Sequence, residues 1–500
     1  MLSAGNNLQF TLSDLNRSYS AKAIEAEIAV VAQLLREKGL FRIALLAGNS
    51  IEWAIVDIAC RETQVCLLPL PEFFSESQRR YAIKACSVEA VITDNPELFE
   101  ADYQAHCETI ALLGEARLSL CLLQPAKQAV MLPEATGKIT FTSGSTGEPK
   151  GVCLSHEQLL RQADILSSVI AIAAPRHLCV LPLSTLLENV AGIYAPILAH
   201  GEVIIPKPEE MGFKGSALVD PQKLLAIIAS IQPQSMILIP QLLLLLVNAI
   251  KQGWQCPASL KFVAVGGSKV SVDLLIEARE LGIPVYEGYG LSECASVVSL
   301  NTPHAQKPGS CGKPLSGLVV SFSEGEVLVS GNTMLGYVNE PQSWSPKQIK
   351  TGDLGHLDQD GFLHIDGRKK NLLISSYGRN ISPEWVESEL LANPLLAEAV
   401  LLGDARPFCA ALLTARSPNT SDAEIQALID VINAGLPDYA RVMAWHRLEK
   451  PLQSESRFMT DNGRPRRKNI NEAFQIEIDA LYAKGISDVQ ENNPNQSVTG

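Results

Sequence analysis

Ten consecutive residues, Thr142-Ser143-Gly144-Ser145-Thr146-Gly147-Glu148-Pro149-Lys150-Gly151, place four hydroxyls, three glycines and one lysine between the apolar runs Ile139-Thr140-Phe141 and Val152-Cys153-Leu154. Residues of these types suit an anion. Glycines let the backbone wrap a phosphate, hydroxyls and successive N–H groups donate to its oxygens, and the lysine brings positive charge. No Gly-Lys-Ser/Thr stands at Walker spacing, so a helix-cradled triphosphate site is not the reading. A generic Ser/Gly linker shares the composition but not the closing Pro-Lys-Gly or the flanking strands.

Four further stretches carry chemistry. Val285-Tyr286-Glu287-Gly288-Tyr289-Gly290-Leu291-Ser292-Glu293 begins as a strand and turns on glycines, bringing an aromatic face close to a carboxylate. Thr351-Gly352-Asp353-Leu354-Gly355 precedes Asp358-Gln359-Asp360-Gly361, and Gly367-Arg368-Lys369-Lys370 follows. The Asp-Gln-Asp-Gly piece reads as a hairpin turn rather than a calcium loop, because the later ligands of a hand motif are missing. Asn371 to Pro383 reads as strand, glycine turn at Gly378 and a capped helix entrance. Near the C-terminus stands Thr460-Asp461-Asn462-Gly463-Arg464-Pro465-Arg466-Arg467-Lys468.

These motifs, in this order from about Ser20 to Ala473, resemble the adenylate-forming (AMP-binding) superfamily of acyl-CoA synthetases, peptide-synthetase adenylation domains and luciferases. The resemblance implies roles. Thr142, Ser143, Gly144, Ser145, Thr146, Gly147 and Lys150 would hold the ATP phosphates. Tyr289 would stack on adenine, with Gly290 and Ser292 lining the same pocket, and Glu293 would hold Mg²⁺. Asp353 would accept from both ribose hydroxyls, and Arg368 would reach the same nucleotide. Gly378 would lie beside the channel for the CoA thiol. The family usually shows Thr-x-x-Gly-Lys where this chain has Arg464, so a guanidinium would bridge substrate carboxylate and α-phosphate; Arg466, Arg467 and Lys468 are alternative cations.

The implied reaction has two steps. A carboxylate attacks the α-phosphorus of Mg·ATP to give acyl-AMP and pyrophosphate; the thiol of CoA then takes the acyl group and AMP leaves. Leu181-Pro182-Leu183-Ser184-Thr185-Leu186-Leu187-Glu188 is similar to the Leu-Pro-Leu-x-His-x-x-Glu segment of long-chain fatty acyl-CoA synthetases, with Thr185 in place of the histidine. Val190, Ile193, Tyr194 and Ile197 share a helical face that would line an acyl chain or pack the core. A medium- or long-chain fatty acid is the leading expectation, with an aryl acid behind it. Two other readings stay open: a stand-alone adenylating enzyme that loads an acyl carrier protein, and a non-catalytic nucleotide-binding relative.

The elements that must position these residues alternate. Arg42–Ala47, Gln64–Leu70 and Ala90–Thr93 read as buried strands, with helices at Ile51–Thr63 and Ser75–Cys86 between them. After the glycine-rich loop come a helix from His156 to Val169, a strand from Leu178 to Leu183, a helix from Ala191 to Leu198, and strands at Val203–Pro206 and Phe262–Val265. Such alternation predicts an α/β protein with helix-covered parallel sheets. Gly317 to Ile365 reads as a β subdomain. The chain is expected to divide into a large N-terminal domain, residues 1–369, a small mobile α+β domain, residues 370–484, and a disordered tail, residues 485–500.

Composition sets limits. With 500 residues, 46% hydrophobic and 19% charged, the chain can bury a large core. A formal charge of −13 argues against a broad nucleic-acid surface. The 11 cysteines show no Cys-x-x-Cys pair, which predicts a reducing compartment and a cytoplasmic protein. The N-terminus has no basic start and no long apolar run of a signal peptide. Met236 to Val247 is the greasiest stretch, but Pro240 and Gln241 interrupt it, so no transmembrane segment is expected.

Overall fold

The computed structural model describes residues 9–124, 129–142, 150–215, 217–377, 379–455, 457–460 and 463–491. Two large sheets form the N-terminal part. In the first, the neighbouring strands run Gly336–Tyr337, Lys150–Leu154, Lys138–Thr142, Cys66–Pro69, Arg42–Leu46, Ala90–Thr93, Glu115–Leu122 and His106–Leu112. Its centre is parallel, and its strands there are apolar on both faces because helices cover both sides. The second sheet centres on the parallel strands Arg176–Leu178, Ser235–Leu238, Phe262–Val265 and Val285–Tyr289.

Helix Ile51–Thr63 starts where Ser50 accepts from the Trp53 N–H and stops where Gln64 turns left-handed. Residues Ile51 to Arg61 are buried, so this helix lies inside the molecule rather than on it. It carries Asp57, completely enclosed, whose carboxylate receives Lys138 Nζ at 2.6 Å, Tyr194 Oη at 2.7 Å and Asn189 Nδ2 at 2.8 Å. Lys138 also donates to Asn189 Oδ1 at 2.5 Å. A buried pair is tolerable only when its remaining donors and acceptors are met, and here they are. The Lys138 ammonium and these hydrogen bonds hold the Asp57 carboxyl below its usual range against the opposing cost of burial.

This network explains a departure from expectation. The stretch predicted as a helix from Ala191 is a π-helix over Glu188–Tyr194 followed by one α-turn, Ala195–Leu198. The wider turn lets Asn189 and Tyr194 reach the same ion pair, while Glu188 bonds His177 at 3.3 Å. The strand expected over Leu178–Leu183 ends at Leu178 instead. Beyond it the Asn49 amide takes over the ladder's role, donating to Leu181 O and accepting from the Leu183 N–H on either side of Pro182, which has no N–H.

A four-stranded antiparallel sheet, Val319–Ser323, Glu326–Ser330, Ile349–Leu357 and Leu363–Arg368, makes the β subdomain. The Asp358 turn is held by backbone N–H groups of Asp360 and Phe362 and by Lys307 at 2.7 Å, as hairpin chemistry requires. The C-terminal part has its own core around the strands Leu396–Leu402, Cys409–Ala415 and Val442–Arg447. Its last helix, Gln475–Glu491, runs past Lys484 into the segment expected to be a disordered tail; residues 492–500 lie outside the described ones. Its Ile478, Leu481 and Tyr482 are buried against the C-terminal core, which gives the helix a reason to form.

Cys107 and Cys121, expected to be single thiols, face each other across the hairpin His106–Leu112/Glu115–Leu122 and form a disulfide. No helix among the described residues is long and apolar enough to cross a membrane.

Candidate active site

Thr142 and Lys150 are register partners at one end of an antiparallel pair, so the two ends of the glycine-rich run lie side by side. Ser143, Gly144, Ser145, Thr146 and Gly147 lie outside the described residues. Lys150 Nζ sits 2.9 Å from Glu340 Oε1 and 4.8 Å from the centre of the Tyr337 ring.

Strand Val285–Tyr289 delivers the second group. A Cβ on Gly290 would lie 1.7 Å from the Ser296 carbonyl oxygen, so only glycine lets the chain double back here. The turn Ser292–Cys294 follows, presenting Ser292 and Glu293. Glu293 is fixed twice: its carbonyl accepts from the Met334 N–H at 2.7 Å, and Oε1 accepts from Tyr337 Oη at 3.0 Å.

Asp353 and Arg368 are partners across the hairpin of the β subdomain. Arg368 Nε donates to Asp353 Oδ1 at 2.7 Å, and Tyr289 Oη donates to Oδ2 at 2.7 Å. Tyr289 is thus tied to the expected ribose carboxylate by its hydroxyl, a contact that the reading of Tyr289 as an adenine platform did not include. Burial pushes the Asp353 carboxyl up, and Arg368 and the Tyr289 hydrogen bond oppose it. Burial and the neighbouring Asp353 charge raise the Tyr289 phenol well above its ordinary value, so it stays a donor.

The fourth group comes from the C-terminal part. In the turn Thr460–Arg464, the Gly463 N–H donates to Thr460 O, and the Arg464 N–H donates to Thr460 Oγ1 at 3.0 Å. Gly463 has φ +69°, the left-handed region that favours glycine. The turn extends the Arg464 guanidinium to the Gly267 carbonyl at 2.8 Å, where its charge acts on Asp353 alongside Arg368. The other cations of that run are engaged elsewhere. Arg467 grips both oxygens of buried Glu387 at 2.8 and 2.7 Å, Arg466 donates to the Met459 carbonyl, and exposed Lys468 lies 3.9 Å from Glu472. Of the four, Arg464 is the one whose charge acts on Asp353.

Other expectations fall differently. Gly378 lies outside the described residues; the strands around it, Leu373–Ile374 and Asn380–Ile381, pair with each other, and Tyr377 stands 77% exposed. Val190, Ile193, Tyr194 and Ile197 are all core residues, between 0% and 3% exposed. Thr185 turns its hydroxyl back on the Pro182 carbonyl at 2.7 Å. The sequence reading missed Gly267, Tyr337 and Glu340. A glycine doublet straight after strand Phe262–Val265 and the Gly-Tyr-Val-Asn-Glu-Pro run were the available signals.

The Asp353–Arg368 pair with Tyr289, the Glu293–Tyr337 contact and the Lys150–Glu340 pair therefore lie on segments that meet, and Arg464 from the C-terminal part reaches Gly267 beside them. Comparisons with known proteins show the family and the fold. The family model described as AMP-binding enzyme matches residues 6–338, and that described as AMP-binding enzyme C-terminal domain matches residues 370–485. A 2-succinylbenzoate–CoA ligase of Bacillus velezensis is 32% identical over 427 residues, covering 80% of this chain and 81% of that protein. A long-chain-fatty-acid–CoA ligase of Mycobacterium bovis is 25% identical over 547 residues, covering 89% and 88%. Among solved structures, an anthranilate CoA ligase with anthranoyl-AMP shares the fold, with TM-score 0.76, 18% identity and coverage of 93% and 94%. O-succinylbenzoate coenzyme A synthetase from Bacillus subtilis, in complex with AMP, gives TM-score 0.71 at 25% identity, covering 88% and 92%. The chain belongs to the AMP-binding enzyme family.

Proposed function

We propose that this enzyme joins a carboxylic acid to CoA through an acyl-adenylate, consuming ATP and releasing pyrophosphate and then AMP. The observation that carries the reading is Arg464. A cation from the C-terminal part reaches the Gly267 carbonyl beside the Asp353–Arg368 pair, where a nucleotide's ribose and α-phosphate would be read together. In this reading Asp353 accepts from ribose hydroxyls, Arg368 and Arg464 supply charge, and Thr142 and Lys150 hold the phosphates at the loop's mouth. Ser143, Gly144, Ser145, Thr146 and Gly147 supply the loop's remaining donors, while Gly290 and Ser292 shape the adenine side of the pocket. No protein nucleophile is needed; the work is positioning and charge neutralisation.

The donor chemistry at Glu293 fits Mg²⁺, a hard cation that takes carboxylate oxygens together with substrate phosphates. The ion would neutralise charge on the phosphates. Glu293, oriented by Tyr337, would hold it. Residues 1–369 and 370–484 would act as two bodies about Lys370, with rotation exchanging Arg464 for the Gly378 loop between the two steps.

The acid has a compact body rather than a long extended chain. The helix face that could have lined an extended chain is sealed in the core, and its Tyr194 hydroxyl is tied to Asp57. An aryl acid suits that arrangement, in keeping with the 2-succinylbenzoate–CoA ligase among the relatives. A fatty acid is the second reading, favoured by likeness to a long-chain-fatty-acid–CoA ligase over most of the chain.

A pyrophosphate-release assay with Mg·ATP, across aryl and fatty acids and with or without CoA, tests these readings. CoA-dependent turnover to an acyl-CoA supports the ligase, and the preferred acid decides between aryl and fatty. Pyrophosphate release without CoA consumption would point to a carrier-protein acceptor. Absence of release with every acid would sink the adenylation reading.

A further inference from the structure

Lys150, the single cation at the end of the glycine-rich loop, is held by a carboxylate outside that loop. Its ammonium lies 2.9 Å from Glu340 Oε1 and 3.1 Å from Oε2, over the face of Tyr337. Tyr337 in turn donates its hydroxyl to Glu293. One aromatic ring therefore separates two carboxylates, one gripping the phosphate-type lysine and the other placed for a metal.

The position of Glu340 is built rather than incidental. Strand Gly336–Tyr337 pairs with Lys150–Leu154, so the segment carrying Glu340 runs beside the strand that begins with Lys150. The turn that follows is closed by its own hydrogen bonds. The Glu340 carbonyl accepts from the Ser343 N–H at 2.8 Å and from Ser343 Oγ at 2.7 Å, and Ser343 Oγ accepts from the Tyr337 N–H at 2.8 Å. Trp344 donates its indole N–H to the Tyr337 carbonyl at 3.0 Å. Asn339 takes left-handed φ +59° and pins the turn outward, accepting from the Met131 N–H and donating to the Ala85 carbonyl. The carboxylate is thus pre-aimed at the ammonium. Yet the pair is separable, since the side chains of Lys150 and Glu340 remain 40% and 33% exposed, and a partly hydrated ion pair yields readily to a more highly charged competitor.

We propose that Glu340 is the resident counter-ion of Lys150: it orients the lysine in the nucleotide-free site, surrenders it to the phosphates of Mg·ATP, and reclaims it as pyrophosphate leaves. This rests on the nucleotide reading given above. No bond is made or broken; one anion replaces another at a fixed cation. A lysine without such a partner would bind pyrophosphate more tightly and release it more slowly. Glu340 is therefore a positioning residue that limits product retention.

Titration calorimetry with Mg·pyrophosphate and with Mg·ATP, on the full chain and on Glu340→Gln, Glu340→Asp, Lys150→Ala and the Glu340→Gln/Lys150→Ala double variant, tests it. Glu340→Gln should bind pyrophosphate roughly 5- to 50-fold tighter, as expected when a competing charge is removed from a half-exposed cation. Glu340→Asp, which keeps the charge, should return most of the way to the parent affinity. The gain should disappear in the Lys150→Ala background. Pyrophosphate affinity unchanged or weakened in Glu340→Gln, or a gain that persists without Lys150, would overturn the proposal. A parent protein that binds both ligands while Glu340→Gln binds no tighter defeats this inference alone; a parent protein that binds neither defeats the nucleotide reading with it.

Discussion

Arg368 and Asp353 are joined at 2.7 Å across a hairpin in which they are register partners, and Tyr289 from a different sheet closes on the other carboxylate oxygen. The carboxylate is therefore oriented before any nucleotide arrives, and preorganisation of this kind lowers the cost of binding. Asp353→Asn keeps the shape but loses the charge. Hydrogen bonds to charged groups contribute about 1.5–3 kcal/mol each, so kcat/KM for ATP should fall roughly 10- to 100-fold. Tyr289→Phe, which retains the ring and loses only the aiming hydrogen bond, should show a smaller loss. Steady-state titrations with ATP decide the matter: a Tyr289→Phe defect equal to that of Tyr289→Ala would mean that the ring itself contributes nothing.

Lys138 and Asp57 make the sharpest stability prediction. Removing one member of a buried, hydrogen-bonded ion pair leaves the other charge enclosed and costs about 3–5 kcal/mol. Lys138→Met should lower the unfolding free energy in urea titrations by an amount of this order, with a correspondingly lower midpoint. Asp57→Asn/Lys138→Met, which removes both charges, should recover part of it. If the single and double variants are equally unstable, the loss is one of packing and not of charge.

Much of this architecture was legible in the residues. Ile51–Thr63 was readable as a helix from its apolar face between two buried strands, and Phe262–Val265 as a short apolar strand run; the structure adds the Ser50 cap and the left-handed stop at Gln64. Asp353 and Arg368 stood out by motif, and the structure places them in direct contact. What local pattern could not carry were choices made by distant partners. The π-turn at Glu188–Tyr194 exists because Asp57 and Lys138, far away in sequence, draw in Asn189 and Tyr194. Arg464 and Arg467 look alike in the chain; buried Glu387 claims Arg467 and leaves Arg464 to the site. The Cys107–Cys121 bond needed strand register, which spacing alone does not supply.

Glu287 sets a pH dependence. It lies buried on the strand that carries Tyr289, and burial raises its carboxyl to about 7, with Lys269 and the Cys311 contact opposing. The folded protein thus holds this proton more tightly than the unfolded chain, whose carboxyl titrates near 4.5. Stability from this group is fully present below about pH 4.5 and is lost as pH rises through 7, to a total of about 3 kcal/mol. Glu287→Gln carries no ionisable group there. Its urea midpoint should stay flatter than that of the parent between pH 5 and pH 8, and the variant should gain relative to the parent at the alkaline end. Parallel pH profiles for the two would show that Glu287 is not the group responsible.

Under the proposed function, Arg464 is expected to act in the first half-reaction and not the second. Its guanidinium reaches the Gly267 carbonyl, and its charge acts on Asp353, the expected ribose ligand; in the proposed reading it neutralises charge that builds on the α-phosphate during adenylation. Removing a donor aimed at developing charge typically costs about 10²–10³-fold in rate. Arg464→Ala should therefore slow pyrophosphate release by that order, while transfer to CoA from a supplied acyl-adenylate falls far less, because that step begins after pyrophosphate has gone. Arg464→Lys restores a point charge on a slimmer stem without the planar fork, so it should recover a large part of the adenylation rate if charge is what matters, and little if the fork must span two oxygens. Equal losses in both half-reactions for Arg464→Ala would place the residue in the general architecture of the domain contact instead, and the Gly267 hydrogen bond would then be a docking contact with no part in the chemistry.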